Sequence, residues 1–148
     1  METANEEKRT VRNIALLVED CPDNAARMKE NLANEGLKPI HFTNIAEAKS
    51  FIGYSAQLGL PIAKIISDID LKRSSGPLAR LDGYRFLKWF HEQQASGAYP
   101  GNPEVILYST TFNKSSSVAY AVLGRLMRSR IESYGYSVRP KEELLNGI

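Results

Sequence analysis

Ile65-Ile66-Ser67-Asp68-Ile69-Asp70-Leu71 is the stretch on which the reading of this chain turns. An apolar, β-branched run ends abruptly in an acid, and a long loop bearing Gly, Pro and Ser follows. A buried parallel strand that delivers a carboxylate to the carboxyl edge of its sheet has this pattern. In open α/β folds that edge is where ligands and chemistry sit. A second acid-tipped run lies upstream, Ile14-Ala15-Leu16-Leu17-Val18-Glu19-Asp20. If the two strands are neighbours, Glu19, Asp20 and Asp68 meet at one point.

Working outward, residues 1–12 carry six charges and almost nothing to bury, which predicts a frayed tail before a single domain over 13–148. Residues 13–18 form the first strand. Pro22 suits a first helical position, and Ala25, Met28 and Leu32 share a helical face that ends at Gly36. Lys38 to Thr43 reads as a short strand. Asn44 with Glu47 three residues on resembles a capping box ahead of Ile45, Ala48 and Ile52. Gly59 and Pro61 precede the strand ending at Asp68. Residues 72–81 form a polar, basic loop, long for a connection of this kind. Asp82-Gly83 opens a third helix with Phe86, Leu87 and Phe90 on one face. Glu104 to Ser109 is a fourth strand, about Ser115 to Ser133 a fourth helix, and Tyr136 to Arg139 a fifth strand. Only Lys141 to Ile148 remain for a last helix, which is therefore truncated. Strands alternating with helices predict a parallel sheet covered on both faces.

Composition sets the bounds. A chain of 148 residues with 43% hydrophobic and 24% charged residues suits one globular domain with its own core. A net charge of +2 is too small to argue for nucleic acid or membrane binding. The lone Cys21 excludes an internal disulfide and suits a reducing, cytoplasmic setting. The polar N-terminus has no signal-peptide core, and no apolar run approaches the about 20 residues needed to cross a bilayer.

Each candidate residue has a plain alternative. Glu19 and Asp20 alone would serve as an exposed acidic turn capping the next helix. Asp68 at a second strand end shifts the balance, because two unit charges 5 Å apart repel by roughly 3 kcal/mol at an effective dielectric near 20. Three carboxylates meeting there call for a cation. Magnesium fits best, since it takes a few carboxylate oxygens and keeps waters for phosphate oxygens to replace. His41 and His91 are isolated and one cysteine cannot build a thiolate site, which argues against zinc. Ser109 either caps a turn with its hydroxyl or donates it to a phosphoryl oxygen. Arg139 is a solvated strand-end residue or a forked partner for a phosphoryl group. Arg125, Arg128 and Arg130 are explained by a solvated helix face, and Trp89 and Phe90 by rim and core.

Together these positions resemble the receiver domain of bacterial two-component response regulators, over about Asn13 to Glu143. The resemblance is carried by Leu17-Val18-Glu19-Asp20, Ile66-Ser67-Asp68, Asp82-Gly83, Leu107-Tyr108-Ser109-Thr110 and Gly135-Tyr136-Ser137-Val138-Arg139-Pro140. It implies a flavodoxin-like, doubly wound five-stranded sheet of order 2-1-3-4-5. It implies that Asp68 is the phosphoacceptor, and that Glu19, Asp20, Asp68 and the backbone carbonyl of Asp70 hold Mg²⁺. Ser109 resembles the switch hydroxyl and Tyr136 the aromatic residue whose rotamer follows it. A histidine kinase or phosphotransfer protein would supply the phosphoryl group, and a downstream protein would read the result. A homodimer through the fourth-helix and fifth-strand face belongs to the same expectation. Such a chain is a signalling module rather than an enzyme.

Three features depart from the family pattern. Arg139 stands where lysine is usual, and it differs in reach and shape. The loop after Asp68 lacks the usual Met-Pro pair and is lengthened, with Lys72, Arg73 and Arg80 placed to lid the pocket or touch the kinase. The fifth helix is short, so a partner covers the surface there or the chain continues in a longer protein. Two other readings follow: a pseudo-receiver that works as an interaction module without phosphorylation, and a small Mg²⁺-dependent phosphatase using Asp68-Ile69-Asp70. The Glu19-Asp20 pair is the receiver arrangement rather than the phosphatase one.

Overall fold

The computed structural model describes residues 14–68, 82–109 and 118–146, with backbone only for Ser109, residues 118–124 and Lys141. The expected tail over 1–12, the loop over 72–81 and the carbonyl of Asp70 lie outside the described residues. In chain order the elements are β1 (Ile14–Val18), α1 (Pro22–Asn34), β2 (Lys38–Phe42), α2 (Ile45–Leu58), β3 (Ile62–Asp68), α3 (Asp82–Ser96), β4 (Glu104–Ser109), α4 (Val118–Ser133), β5 (Ser137–Pro140) and α5 (Lys141–Leu145).

The five strands are all parallel and lie in the order β2-β1-β3-β4-β5, as the sequence implied. Side chains alternate between the two faces of each strand. Ala15, Leu17, Ile66, Ile106 and Tyr108 therefore face one way, onto Ala25, Met28 and Leu32 of α1, with Leu144 and Leu145 of α5 beside them. Leu16, Val18, Ile65, Val105, Leu107 and Val138 face the other way, onto α2, α3 and α4. Both faces are apolar, which explains the continuous hydrophobic runs of β1 and of β4 from Val105 to Leu107 and the apolar Ile65-Ile66 pair of β3.

Local signals set the helix ends. Pro22 is the first residue of α1. At the start of α2, Asn44 Oδ1 accepts the Glu47 N–H at 2.9 Å, the Asn44 half of the expected capping box. Both α1 and α4 stop at a glycine in the left-handed region, Gly36 at φ 82° and Gly135 at φ 87°. At the second of these, the Gly135 N–H donates to the Glu132 carbonyl and the Tyr136 N–H to the Ile131 carbonyl, the double bond of a Schellman motif. Tyr136 spends its N–H closing α4, and so β5 starts one residue later than the sequence suggested. The last helix has five residues, shorter than the two turns allowed for it. Its Leu144 and Leu145 carbonyls accept from the Asn31 side-chain amide of α1 at 2.7 and 3.2 Å.

The surface readings hold. Trp89 is half-buried, stacked on Phe86 with the Lys49 ammonium above it, while Phe90 is fully enclosed. Arg128 pairs with Glu132 one helical turn on, on an exposed face. No helix among the described residues is long and apolar enough to cross a membrane.

Candidate metal and phosphoacceptor site

Register brings the acids together. The pairing of β1 with β3 shifts between Ile14 and Ala15, after which Val18 lies opposite Ser67. The residue that follows β1 and the last residue of β3 are then Glu19 and Asp68. On the other side of β3, Asp68 pairs with Tyr108, and Tyr108 pairs with Arg139. One row across the carboxyl edge therefore reads Glu19, Asp68, Tyr108, Arg139.

One carboxylate oxygen each from Glu19, Asp20 and Asp68 lies within 4.8 Å of the others. Glu19 is fully buried, Asp68 is 4% exposed and Asp20 is half-buried. The donor set is all oxygen with no imidazole or thiolate among its ligand atoms, which fits a hard cation such as Mg²⁺ and not a soft one.

Glu19 is held at every polar position. Its N–H donates to the Phe42 carbonyl at 3.1 Å, and its carbonyl accepts from His41 Nε2 at 2.6 Å. Because a carbonyl only accepts, His41 carries its proton on Nε2. Glu19 Oε1 accepts from the Cys21 N–H and the Asn24 amide, both at 3.3 Å, and Oε2 accepts from the Tyr108 hydroxyl. A carboxylate offers about four lone-pair sites, and these donors occupy three. Hydrogen bonds to a charged group stabilise by about 1.5–3 kcal/mol each, so the set holds a buried charge that would otherwise be unfavourable. Burial first, and then the negative charges of Glu19, Asp68 and Asp20, push the Tyr108 hydroxyl well above its ordinary range. It stays protonated and remains a donor.

The other expected residues lie elsewhere along the same edge. Arg139 is exposed, two strands from Asp68, or about 10 Å at ordinary strand spacing. It borders a groove under α5 with Asn31, Glu35, Lys64 and Glu143, and forms no ion pair among the described residues. Ser109 ends β4 one residue past Tyr108, and only its backbone is described. Tyr136 is buried on the opposite face, its hydroxyl donating to the Gln94 side chain of α3 and its ring packed beside Phe90, His91 and Tyr134. Burial raises its hydroxyl pKa, with Tyr134 adding to the shift.

Sequence reasoning passed over Tyr108 and His41. Tyr108 was visible as an alternating, inward position in a strand, and a buried tyrosine needs a partner for its hydroxyl. The identity of that partner depends on sheet register, which the sequence does not state.

Solved structures share this architecture. The signal receiver domain of a signal transduction histidine kinase from Syntrophus aciditrophicus is 23% identical, with 92% of each chain covered and a TM-score of 0.55. The receiver domain of the histidine kinase CKI1 from Arabidopsis thaliana, solved as a mutant, is 15% identical over 96% of this chain and 91% of its own, with a TM-score of 0.62. A Saccharomyces cerevisiae response-regulator receiver domain, co-crystallised with a histidine phosphotransfer signaling protein, is 14% identical over 88% and 79%, with a TM-score of 0.57. No protein-family model and no curated protein matches the sequence. The chain has the receiver-domain fold.

Proposed function

We propose that this receiver fold is a phosphorylation-dependent signalling switch in which Asp68 accepts a phosphoryl group from a histidine kinase or phosphotransfer protein. The observation that carries the reading is the convergence of Glu19, Asp20 and Asp68 within 4.8 Å at the carboxyl edge. The co-crystallised phosphotransfer protein on a similar fold supports the class of donor.

Asp20 and Asp68 would hold Mg²⁺ directly. Glu19, with three of its lone-pair sites already taken, would act from outside through water. Bound there, the ion supplies neutralising charge for the phosphoryl oxygens. An Asp68 carboxylate oxygen forms the new bond to phosphorus while the bond from phosphorus to the donor imidazole nitrogen breaks, and the imidazole leaves with that electron pair. The added charge and acceptor oxygens then recruit Ser109 and a cation, and a partner protein reads the shift in the loops and in Tyr136. In this reading the chain is a signalling module of the cytoplasm, not an enzyme acting on a metabolite.

A second reading, the pseudo-receiver, is favoured by one observation. Tyr108 fills the sheet row between Asp68 and Arg139, which leaves Arg139 exposed two strands from the acceptor. Intact-protein mass after incubation with acetyl phosphate and Mg²⁺ separates the two. A phosphate-sized gain in the wild type that is absent from Asp68→Asn supports the switch. No gain in a folded wild type, with acetyl phosphate or with a cognate kinase, favours the interaction module.

A further inference from the structure

We infer that Tyr108 is a positioning residue of the cation site, holding the Glu19 carboxylate in the place that completes the acid cluster. This rests on the cation site proposed above. Tyr108 belongs to β4 and Glu19 follows β1, so the hydroxyl-to-carboxylate bond crosses β3 at the row occupied by Asp68. Tyr108 is fully enclosed, which makes its hydroxyl a deliberate polar tip inside an apolar face formed with Leu17, Ile66 and Ile106.

The two oxygens of Glu19 are held from opposite directions. Oε1 is held by Cys21 and Asn24, which belong to the same β1–α1 turn and move with Glu19. Oε2 is held by Tyr108, which is anchored on another strand. The turn fixes the acid to itself, and Tyr108 fixes it to the sheet that carries Asp68. Glu19, acting on the cation through water, is itself an outer partner; loss of an outer partner commonly costs about 10- to 100-fold in metal affinity, and Tyr108 fixes where this one sits. Phenylalanine at 108 would fill the same space but remove the tie between Oε2 and the strand beside Asp68.

The test is calorimetric titration of the full chain with Mg²⁺. The wild type is compared with Tyr108→Phe, Glu19→Gln and the double variant, each checked for folding by its urea midpoint. The expected result is about a tenfold loss of Mg²⁺ affinity in Tyr108→Phe, and little further loss when the change is made in the Glu19→Gln background. Coupling of that kind is a readout that a packing role would not move, because the ring stays in both cases. An affinity for Tyr108→Phe within twofold of the wild type overturns the inference, as does an equal loss in both backgrounds. If Tyr108→Phe fails to fold, Glu19→Asp serves instead. It keeps the charge but shortens the reach to Tyr108, and retained affinity there overturns the inference equally. Absence of Mg²⁺ binding by the folded wild type overturns the cation site itself, and this inference with it.

Discussion

The two halves of the sheet's carboxyl edge are built on different plans. At the β1–β3 half, three acids meet, two of them are buried, and Glu19 is tied through its N–H, its carbonyl and both carboxylate oxygens. At the β5 half, Arg139 is exposed beside a groove, and Tyr136 faces away from it and is tied by its hydroxyl to α3. The first half is organised before any ligand arrives, with its electrostatic cost met by fixed donors. The second has its charged and aromatic groups on opposite faces.

The largest effect that tests this contrast is chemical. Asp68→Asn should abolish the gain of phosphate seen by mass, whereas Arg139→Ala should leave a gain in place; equal loss in both would mean that the two halves work as one unit. Next comes stability. Phe90 is fully enclosed and packs against Tyr99 and Tyr136, so Phe90→Ala should cost about 3–5 kcal/mol in urea unfolding. Hydrogen exchange should show the loosening at α3, α4 and β5 before β1; a uniform loosening would erase the distinction.

A smaller effect depends on pH. Burial raises the pKa of Tyr136 in the folded state, so the unfolded chain gives up that proton first. Its contribution is present in full below about pH 10, the unfolded tyrosine value, and is lost as pH rises beyond it. Tyr136→Phe should cost about 0.5–1.5 kcal/mol at neutral pH through the lost bond to Gln94, and should flatten the alkaline decline of the unfolding midpoint. An unchanged decline would assign it to other groups. Smallest of all, Arg128→Ala should change stability by less than about 0.5 kcal/mol, because both members of its pair with Glu132 are exposed.

Much of this was legible from residues in order. The strand ends at Asp68 and at Glu19-Asp20 show in the sequence because a β-branched or apolar run gives way to an acid in each case, directly after Val18 and one serine after Ile66. Strand order followed once the resemblance was seen. What stayed hidden depends on register and on hydrogen bonds between elements. His41 looks isolated along the chain, yet β2 pairs it with Leu17 and sets its ring on the Glu19 carbonyl. Tyr108 reads as ordinary core until β3 and β4 are aligned. The start of β5 slipped because the closing bond of α4 consumed the Tyr136 N–H, a competition that periodicity does not record.

The five-residue α5 also bears on the order of assembly. Isolated helices shorter than about 12–15 residues are marginal in water, because nucleation fixes several residues for the first bond. This one relies on Asn31 to receive its last carbonyls, and Asn31 is in place only once α1 has formed and docked. The five-residue helix is therefore late to form and early to fray. Its amide protection in a refolding experiment should lag that of the first helix, marking the moment when the two helices are tied together.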